Sequence, residues 1–229
     1  MEKIGAKHRS LDNMIYERLK ALIIERKLMP GEKIYQDKVA DELGVSRTPL
    51  VNALKMLERE KLISAVPRKG FYVRLFSKQE MVHIFELREV LEGLVARRAA
   101  THITDAQIEK LQKFFTGFTE PEDFANLGKY REEDRRFHNF ILDVGGEDIL
   151  SSILETYNII TFAYQFLEQE GLVRPPAETI QEHRVIIEAI TARDPLKAEE
   201  LAHLHLKKSI EKIKKEIEEE KQGESASPR

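Results

Sequence analysis

The sequence predicts a mostly α-helical protein in two parts: a small helix-turn-helix unit with a β-hairpin at residues 1–76, and an all-α six-helix bundle at residues 77–222. Two observations lead to this division. Up to residue 75, short helical patterns alternate with turn residues and end in two short apolar runs. After Ser77 strand signals are few, and breakers separate long helical patterns. Residues 223–229, GESASPR, are expected to be a disordered tail.

The first part contains two short helices around a tight turn, after a first helix from about 11 to 27. The segment Gln36–Leu43 ends at Gly44, the residue that most easily adopts a left-handed turn. Ser46 then suits the N-cap of a second helix, and Pro49 falls in its first turn, where a missing N–H costs little. Apolar residues follow at helical spacing and should face inward: Leu50, Ala53, Leu54, Met56 and Leu57.

A basic turn follows this pair of helices. Apolar runs at residues 62–66 and 71–75 flank Pro67-Arg68-Lys69-Gly70, which predicts a hairpin with a basic tip. A basic hairpin tip beside a helix-turn-helix is a wing. The segment is therefore predicted to be a winged helix-turn-helix, a fold that binds double-stranded DNA.

Charge and composition agree with contact to DNA at one end of the chain. Residues 1–75 carry 16 Lys and Arg against 10 Asp and Glu, whereas the remaining residues carry 21 against 30. A basic first part suits a polyanionic partner. The absence of cysteine excludes disulfides and thiolate chemistry and fits a cytoplasmic protein. No run approaches the ~18 apolar residues that a membrane span needs, so no membrane association is expected.

The bundle helices are expected near 78–101, 104–117, 122–143, 148–170, 177–192 and 195–221. Asp134 and His138 are four residues apart and share one helix face. His183 and His205 each lie eleven residues from Asp194, the centre of a predicted turn, so they should lie level in an antiparallel helix hairpin. One carboxylate and three imidazoles could then meet and hold a divalent transition metal: Zn, Ni, Fe, Co or Mn.

Plainer explanations of this pattern stay open. An Asp and a His four residues apart often form only a solvated surface contact. His203 competes with His205, because residues two apart on a helix point in different directions.

A polar stripe marks the otherwise apolar helix near 148–170. Asn158, Thr161 and Gln165 follow one another at helical spacing, and Tyr157 and Asn158 should lie level with Asp134. Buried polar groups need partners, which a bound polar effector could supply. Alternatively, the stripe faces solvent.

The first part resembles the DNA-binding domain of GntR-family bacterial regulators. The resemblance rests on Pro30-Gly31, on LGVSRTP at 43–49, on Ala53-Leu54 and Leu57-Glu58, and on GFYV at 70–73. Val51 and Asn52 stand where the family usually has Arg and Glu, so the usual family operator is not expected. Lys61 stands where the family often has Gly.

The second part resembles the helical FCD ligand-sensing domain of the FadR branch. The matching pieces are Leu87-Arg88, Leu91-Glu92, Ala99-Ala100, Asp134-x-x-x-His138, His183-Arg184-x-x-Ile187-x-Ala189-Ile190, Asp194, Ala198 and His205. The resemblance implies a metal held by Asp134, His138, His183 and His205, Zn or Ni foremost, in the short metal-binding subgroup. It also makes Arg88 a candidate to hold an effector carboxylate, beside Tyr157, Asn158 and Thr161. The alternative for Arg88 is a surface ion pair with Glu92, four residues later.

On DNA, the amino-terminal end of the second helix should enter the major groove. Arg47 could read guanine or only contact phosphate. A single winged helix-turn-helix buries too little surface for tight binding, so a homodimer on a palindromic operator is expected. The expected DNA contacts are Lys38, Ser46, Arg47, Thr48, Asn52, Lys55, Arg68, Lys69 and Gly70.

Taken together, the patterns predict a regulator, in this family most often a repressor, whose operator affinity changes when a small carboxylate joins the metal. A metal-independent regulator and a metalloenzyme using the same ligands are the alternatives. No general base beyond the ligands themselves stands out in the sequence, so an enzyme is not expected.

Overall fold

The computed structural model describes residues 11–25, 27–164 and 173–226. The predictions for Gln165 and for the last three residues lie outside these ranges. The chain forms two compact units. In the described part, the first unit holds the elements up to Leu75 and the end of one long helix from Ile159, and the second unit holds the rest. The domain limits 1–76, 77–222 and 223–229 stay a prediction.

The first unit is a small helical unit with one sheet. Its elements are α1 (Leu11–Ile24), β1 (Lys33–Ile34), α2 (Gln36–Leu43), α3 (Arg47–Arg59), β2 (Ile63–Val66) and β3 (Gly70–Val73). The strands are antiparallel in the order β1-β3-β2, so Phe71 pairs with Ile34 on one side and Ala65 on the other. The predicted hairpin is present. The two-residue β1 adds a third strand that is too short to leave a sequence pattern.

The turn between α2 and α3 forms as its residues predict. Gly44 caps α2 at φ 66° and ψ 35°, the left-handed conformation expected of it. Ser46 occupies the N-cap of α3, although its hydroxyl makes no capping hydrogen bond. Side chains from every element fill the core of this unit, and the fully buried ones are Leu19, Ile34, Leu50, Leu54, Leu57 and Ile63.

The second unit is all helical. Its elements are α4 (Lys78–His102), α5 (Asp105–Leu111), α6 (Pro121–Ala125), α7 (Leu127–Gly145), α8 (Glu147–Tyr164) as far as Asn158, α9 (Pro176–Thr191) and α10 (Pro195–Ala226). Ser77 and Thr104 begin α4 and α5 with capping boxes formed with Glu80 and Gln107. Among the described residues, no helix has the length and apolar character that a membrane crossing requires.

Two helix predictions in this unit need correction. The helix expected at 122–143 is two helices, α6 and α7, because the Asn126 side chain accepts a hydrogen bond from the N–H of Lys129 and caps α7. The helix expected at 104–117 ends at Leu111 and continues as turns. Phe115 in those turns takes a positive φ of 59° and is fully buried.

Close helix packing sets the positions of α4, α7 and α10. A Cβ on Gly145 would lie 2.2 Å from the carbonyl oxygen of Val95, so α7 approaches α4 more closely than a larger residue would allow. A Cβ on Gly93 would lie 2.5 Å from Nε2 of His203, which leaves α10 little space above α4. These contacts align the inward faces of α7 and α10, which carry three of the predicted ligands.

Candidate metal centre and DNA-binding surface

Three histidines of the second unit meet in its interior. His138 on α7, His183 on α9 and His205 on α10 offer nitrogen atoms that all lie within 4.8 Å of one another. Nε2 of His183 is 3.3 Å from Nε2 of His205. Helices α9 and α10 form an antiparallel hairpin whose turn contains Asp194. Residues equally far from that turn, such as His183 and His205, therefore lie side by side. His183 is fully buried, and the His138 side chain is only 10% exposed.

Asp134 completes the cluster one helical turn before His138. Its Oδ1 lies 3.8 Å from Nε2 of His138 and 3.7 Å from Nε2 of His183. The Tyr130 hydroxyl donates a hydrogen bond of 3.1 Å to the same oxygen. Burial, reinforced by the charge of Asp134, raises the pKa of Tyr130 well above its ordinary value, so the phenol keeps the proton that it donates. The carboxylate is therefore held towards the imidazoles.

Two further carboxylates lie behind the histidines. Oε2 of Glu92 is 3.1 Å from Nδ1 of His138, and Oε2 of Glu182 is 2.7 Å from Nδ1 of His205. An ionised carboxylate can only accept a hydrogen bond, so each Nδ1 carries the proton. Nε2 is therefore the nitrogen of each ring that faces the other ligands of the cluster, as is common for histidine ligands: Nε2 of His138 lies 3.8 Å from Oδ1 of Asp134, and Nε2 of His205 lies 3.3 Å from Nε2 of His183.

Each of these carboxylates is held by an arginine. Arg88 donates from Nε to Oε1 of Glu92 at 2.7 Å, and Arg174 holds both oxygens of Glu182 in a fork, with 2.8 Å between its Nη1 and Oε1. Burial alone would raise the pKa of both carboxyl groups. The arginine and histidine partners outweigh burial and hold each pKa well below its usual range. Glu92 and Glu182 are therefore ionised.

His183 has different surroundings. Its ring stacks on that of Phe115, with centroids 5.0 Å apart and 24° between the planes. Nδ1 is buried and has no hydrogen-bond partner within the described ranges. Burial lowers the pKa of His183 well below its ordinary value, so the ring is neutral.

The donor set fits a divalent transition metal. Ligand atoms ~2.0–2.2 Å from one ion lie roughly 3–3.5 Å from each other. In this cluster, the two Nε2 atoms of His183 and His205 are 3.3 Å apart, Oδ1 of Asp134 lies 3.7–3.8 Å from Nε2 of His183 and His138, and the three histidine nitrogens all lie within 4.8 Å of one another. Mixed imidazole and carboxylate ligands suit such ions. His203 lies outside the cluster, with Nδ1 3.8 Å from Oε1 of Glu89. The structure thus groups His205, and not His203, with the other two histidines.

A cavity adjoins the cluster. It is small, with about 30 Å³ accessible to water, and His138, His205, Glu92 and Asn158 supply its polar lining. The other lining side chains are apolar. Asn158 is 4% exposed, and its Oδ1 has no hydrogen-bond partner among the described residues.

The other predicted effector residues are placed differently. Arg88 is paired with Glu92, as in the alternative interpretation, but the arginine is buried, so the pair does not lie at the surface. Tyr157 is half-buried, and Thr161 is buried but belongs to the first compact unit. Neither lines the cavity. The described members of the polar stripe, Asn158 and Thr161, are buried, so they do not face solvent.

The first unit carries a basic groove. Five basic side chains line it: Lys33, Lys38, Arg47 at the start of α3, and Arg68 and Lys69 of the wing tip. All of these side chains are exposed. The remaining predicted DNA contacts, Ser46, Thr48, Asn52 and Lys55, are also exposed, and Gly70 at φ 99° is half-buried in the tip.

Besides Lys38, whose Nζ lies 3.8 Å from Oε1 of Glu42 on the same helix, two predicted DNA contacts already have partners. Nε of Arg47 lies 3.4 Å from Oδ1 of Asp37, and Nδ2 of Asn52 donates to Oδ2 of Asp12 at 3.1 Å. Both pairs are exposed, so water and salt screen them and they are weak. An exposed pair of this kind can open when phosphate or a base edge approaches.

Comparison with known proteins decides the family. The FCD domain profile matches residues 83–208, more than half of the chain, and the profile of bacterial regulatory proteins of the gntR family matches residues 11–73. This chain is a GntR-family transcription regulator with an FCD domain. Its DNA-binding, winged helix-turn-helix part and its helical part are therefore confirmed.

Relatives align along nearly the whole GntR–FCD chain. The uncharacterized HTH-type transcriptional regulator YdhC of Bacillus subtilis is 28% identical over 216 residues, covering 91% of this chain and 93% of YdhC. The HTH-type transcriptional repressor RspR of Escherichia coli is 24% identical, covering 89% of each chain. The solved structure of E. coli McbR/YncC has the same fold, with a TM-score of 0.70 at 20% identity over 92% of this chain and all of that one. These proteins are regulators, which confirms that the GntR–FCD chain is not an enzyme.

Several residues around both sites were not predicted. Glu182 and Arg174 surround the histidines without any spacing that would single them out, because they reach the cluster across helices or from the loop before α9. Lys33 and Asp37 of the groove were also missed. Tyr130 had a signal, its position four residues before Asp134 on α7. Glu92 also had one, its position four residues after Arg88, but that spacing indicated a surface pair instead of a buried one.

Proposed function

We propose that this regulator binds a divalent transition metal through Asp134, His138, His183 and His205, and that a small carboxylate binding at the metal changes its affinity for operator DNA. Residues 77–222 would be the sensing domain and residues 1–76 the DNA-binding domain of a cytoplasmic protein. FCD domains are often metal-binding, and the histidine cluster is present in this one.

One observation supports the metal most strongly. Glu92 and Glu182 each accept a hydrogen bond from the Nδ1–H of a histidine and thereby turn the Nε2 of that histidine towards the same point. A core that only needed to be filled would not require two buried carboxylates, each with its own arginine, since buried ion pairs seldom add stability over apolar packing.

Zn or Ni is the proposed ion, with Fe, Co and Mn as the other candidates. The ion would supply open coordination positions for the oxygens of a carboxylate. The protein groups orient the ligands: Tyr130 holds Asp134, the two glutamates hold His138 and His205, and the ring of Phe115 supports His183.

The proposed response is a change in DNA binding. As a homodimer of the FadR subfamily on a palindromic operator, the protein would place two basic grooves on successive half-sites. Effector binding would then alter the affinity by a coupling of about 1–3 kcal/mol. Repression is the proposed mode, because RspR and GlaR are both named repressors.

The test couples metal, carboxylate and DNA. Operator fragments are selected from a random duplex library with the purified full-length chain, and their binding is followed by fluorescence anisotropy. We expect carboxylates to shift the affinity about 5–150-fold in metal-loaded protein only. The matched control is the His183→Ala variant, which should bind the fragments but ignore carboxylates. An equal response in both proteins would contradict the proposal.

A further inference from the structure

The basic groove of the first unit contains one acidic side chain among the described residues that line it, Asp37. This side chain is 78% exposed and lies among lysines and arginines. A carboxylate at this surface opposes the approach of phosphate and weakens binding to DNA of any sequence. What Asp37 contributes to the groove must therefore differ from general attraction to DNA.

Asp37 lies against the guanidinium of Arg47. Its Oδ1 is 3.4 Å from Nε, and its Oδ2 accepts a hydrogen bond of 3.5 Å from Nη2, so the two oxygens face two neighbouring nitrogens. The contact joins the first turn of α2 to the start of α3, across the turn at Gly44. In the part of the chain that the structure describes, Arg47 has no other polar partner.

The shape of a guanidinium determines what this contact leaves free. Its five N–H bonds lie in one plane, and Nε with one hydrogen of Nη2 forms the side edge that Asp37 occupies. The end edge, formed by Nη1 and the second hydrogen of Nη2, remains available. That edge presents two donors, which match the O6 and N7 acceptors of guanine in the major groove. Arg47 can therefore bind guanine while it keeps its contact with Asp37.

A phosphate that approaches the same guanidinium meets different conditions. The carboxylate of Asp37 repels its negative charge, whereas guanine has no net charge and is not repelled. Because the pair is exposed, water and salt screen this repulsion and keep it modest. The contact therefore favours a base edge over the DNA backbone as the partner of Arg47.

We propose that Asp37 is a specificity-determining residue, which holds the guanidinium of Arg47 for guanine and disfavours its use as a phosphate contact. In this role Asp37 touches no base and acts as a positioning residue for Arg47. The inference concerns DNA recognition and is independent of the metal and of the effector.

Asp37 also has a purely structural use, because an acidic residue in the first turn of α2 stabilises that helix. Helix stabilisation changes how much of the protein is folded. It does not change the ratio between the affinities of the folded protein for two DNA sequences. That ratio therefore separates the two roles.

The test compares the affinities of the full-length chain for the selected operator and for an unrelated duplex, measured by fluorescence anisotropy at one salt concentration. We expect Asp37→Asn to bind the unrelated duplex about threefold more tightly, because a repulsive charge is gone. Its affinity for the operator should not rise, because the guanidinium of Arg47 loses its fixed orientation. The ratio of the two affinities should therefore fall by at least about threefold.

Two controls assign the effect to the contact with Arg47. Asp41→Asn removes an exposed charge one turn further along α2, outside the described lining of the groove, and should keep the ratio within about twofold of the parent. In an Arg47→Ala background, Asp37→Asn should no longer change the ratio, because the side chain on which it acts is absent. The inference is overturned by a ratio that is unchanged in Asp37→Asn, that falls equally in Asp41→Asn, or that falls by the same factor without Arg47.

Discussion

Oε2 of Glu182 lies 2.7 Å from Nδ1 of His205, and this contact determines which nitrogen of the imidazole faces the cluster. Arg174 and Lys208 hold the same carboxylate on its other sides, so the glutamate has little freedom to turn away. The ring is thereby oriented before any ion arrives. A ligand that is already oriented loses less conformational entropy on binding.

Replacing this glutamate should weaken metal binding without removing a ligand. We expect Glu182→Gln to lower the metal affinity about 10–100-fold, because the amide no longer fixes the tautomer of His205 as a carboxylate does. Competition with a chromophoric chelator measures the change. Lys208→Gln is the matched control: it removes an ion pair with Glu182 but leaves the contact to His205, and its affinity should stay within about threefold of the parent. Equal losses in both variants would point to a general charge effect instead.

Arg47 and Lys69, two basic side chains of the DNA-binding groove, should contribute to DNA affinity in different ways. Arg47→Ala should cost about 1–3 kcal/mol on the selected operator and little on unrelated duplexes, if its guanidinium reads a base edge. Lys69→Ala at the wing tip should weaken binding to all sequences and reduce the slope of log affinity against log salt by about 1. Salt-dependent anisotropy titrations separate these behaviours. Arg136→Ala, an exposed arginine on α7, should change neither.

Lys61 stores a small amount of backbone strain. It takes a φ of 64° just after α3, and the N–H of the next residue, Leu62, donates to the carbonyl of Leu57, as in a helix C-cap motif that favours glycine. Lys61→Gly should therefore raise the free energy of unfolding by about 0.5–1 kcal/mol. Lys55→Gly, inside the same helix, should lower it by about 1 kcal/mol. Urea denaturation gives both values; a loss in the first variant would contradict the account.

The close approach of α7 to α4 depends on Gly145. Its Cβ would lie 2.2 Å from a carbonyl oxygen, so Gly145→Ala must push the helices apart, at a cost of about 1–3 kcal/mol in unfolding free energy. The Gly128→Ala control, on the same helix, adds a Cβ 3.6 Å from the nearest side-chain atom and should leave stability unchanged or slightly higher. Thermal unfolding monitored by circular dichroism compares the two. A stability change of the same sign and size in both variants would contradict the claim that the close approach of α7 to α4 requires glycine at position 145.

The sequence predicts those parts of the molecule that local rules determine. Gly44 ends α2 and Ser46 begins α3 because each residue suits one backbone conformation. His183 and His205 meet because equal distances from a turn translate directly into proximity in a helix hairpin. The cluster was therefore foreseeable once the turn at Asp194 was recognised.

Other features depend on packing that spacing alone does not encode. Glu182 precedes His183 by one residue yet holds His205, because the direction of its side chain is set by how α9 faces α10. The break at Asn126 depends on a single capping hydrogen bond inside a pattern that otherwise suits one helix. Arg88 is buried against Glu92 because α4 presents that face to the interior. Its guanidinium is therefore occupied by Glu92, whereas the sequence suggested that it would bind the carboxylate of an effector.

The metal content of the purified chain tests the central claim most directly. The parent, His205→Ala and His203→Ala proteins are incubated with Zn or Ni, desalted and analysed by plasma mass spectrometry. His203 is two residues away on the same helix but contacts Glu89, so it controls for the general loss of a histidine. We predict about one ion per chain in the parent and in His203→Ala, and almost none in His205→Ala. Equal metal in all three proteins, or none in any of them, would contradict the account.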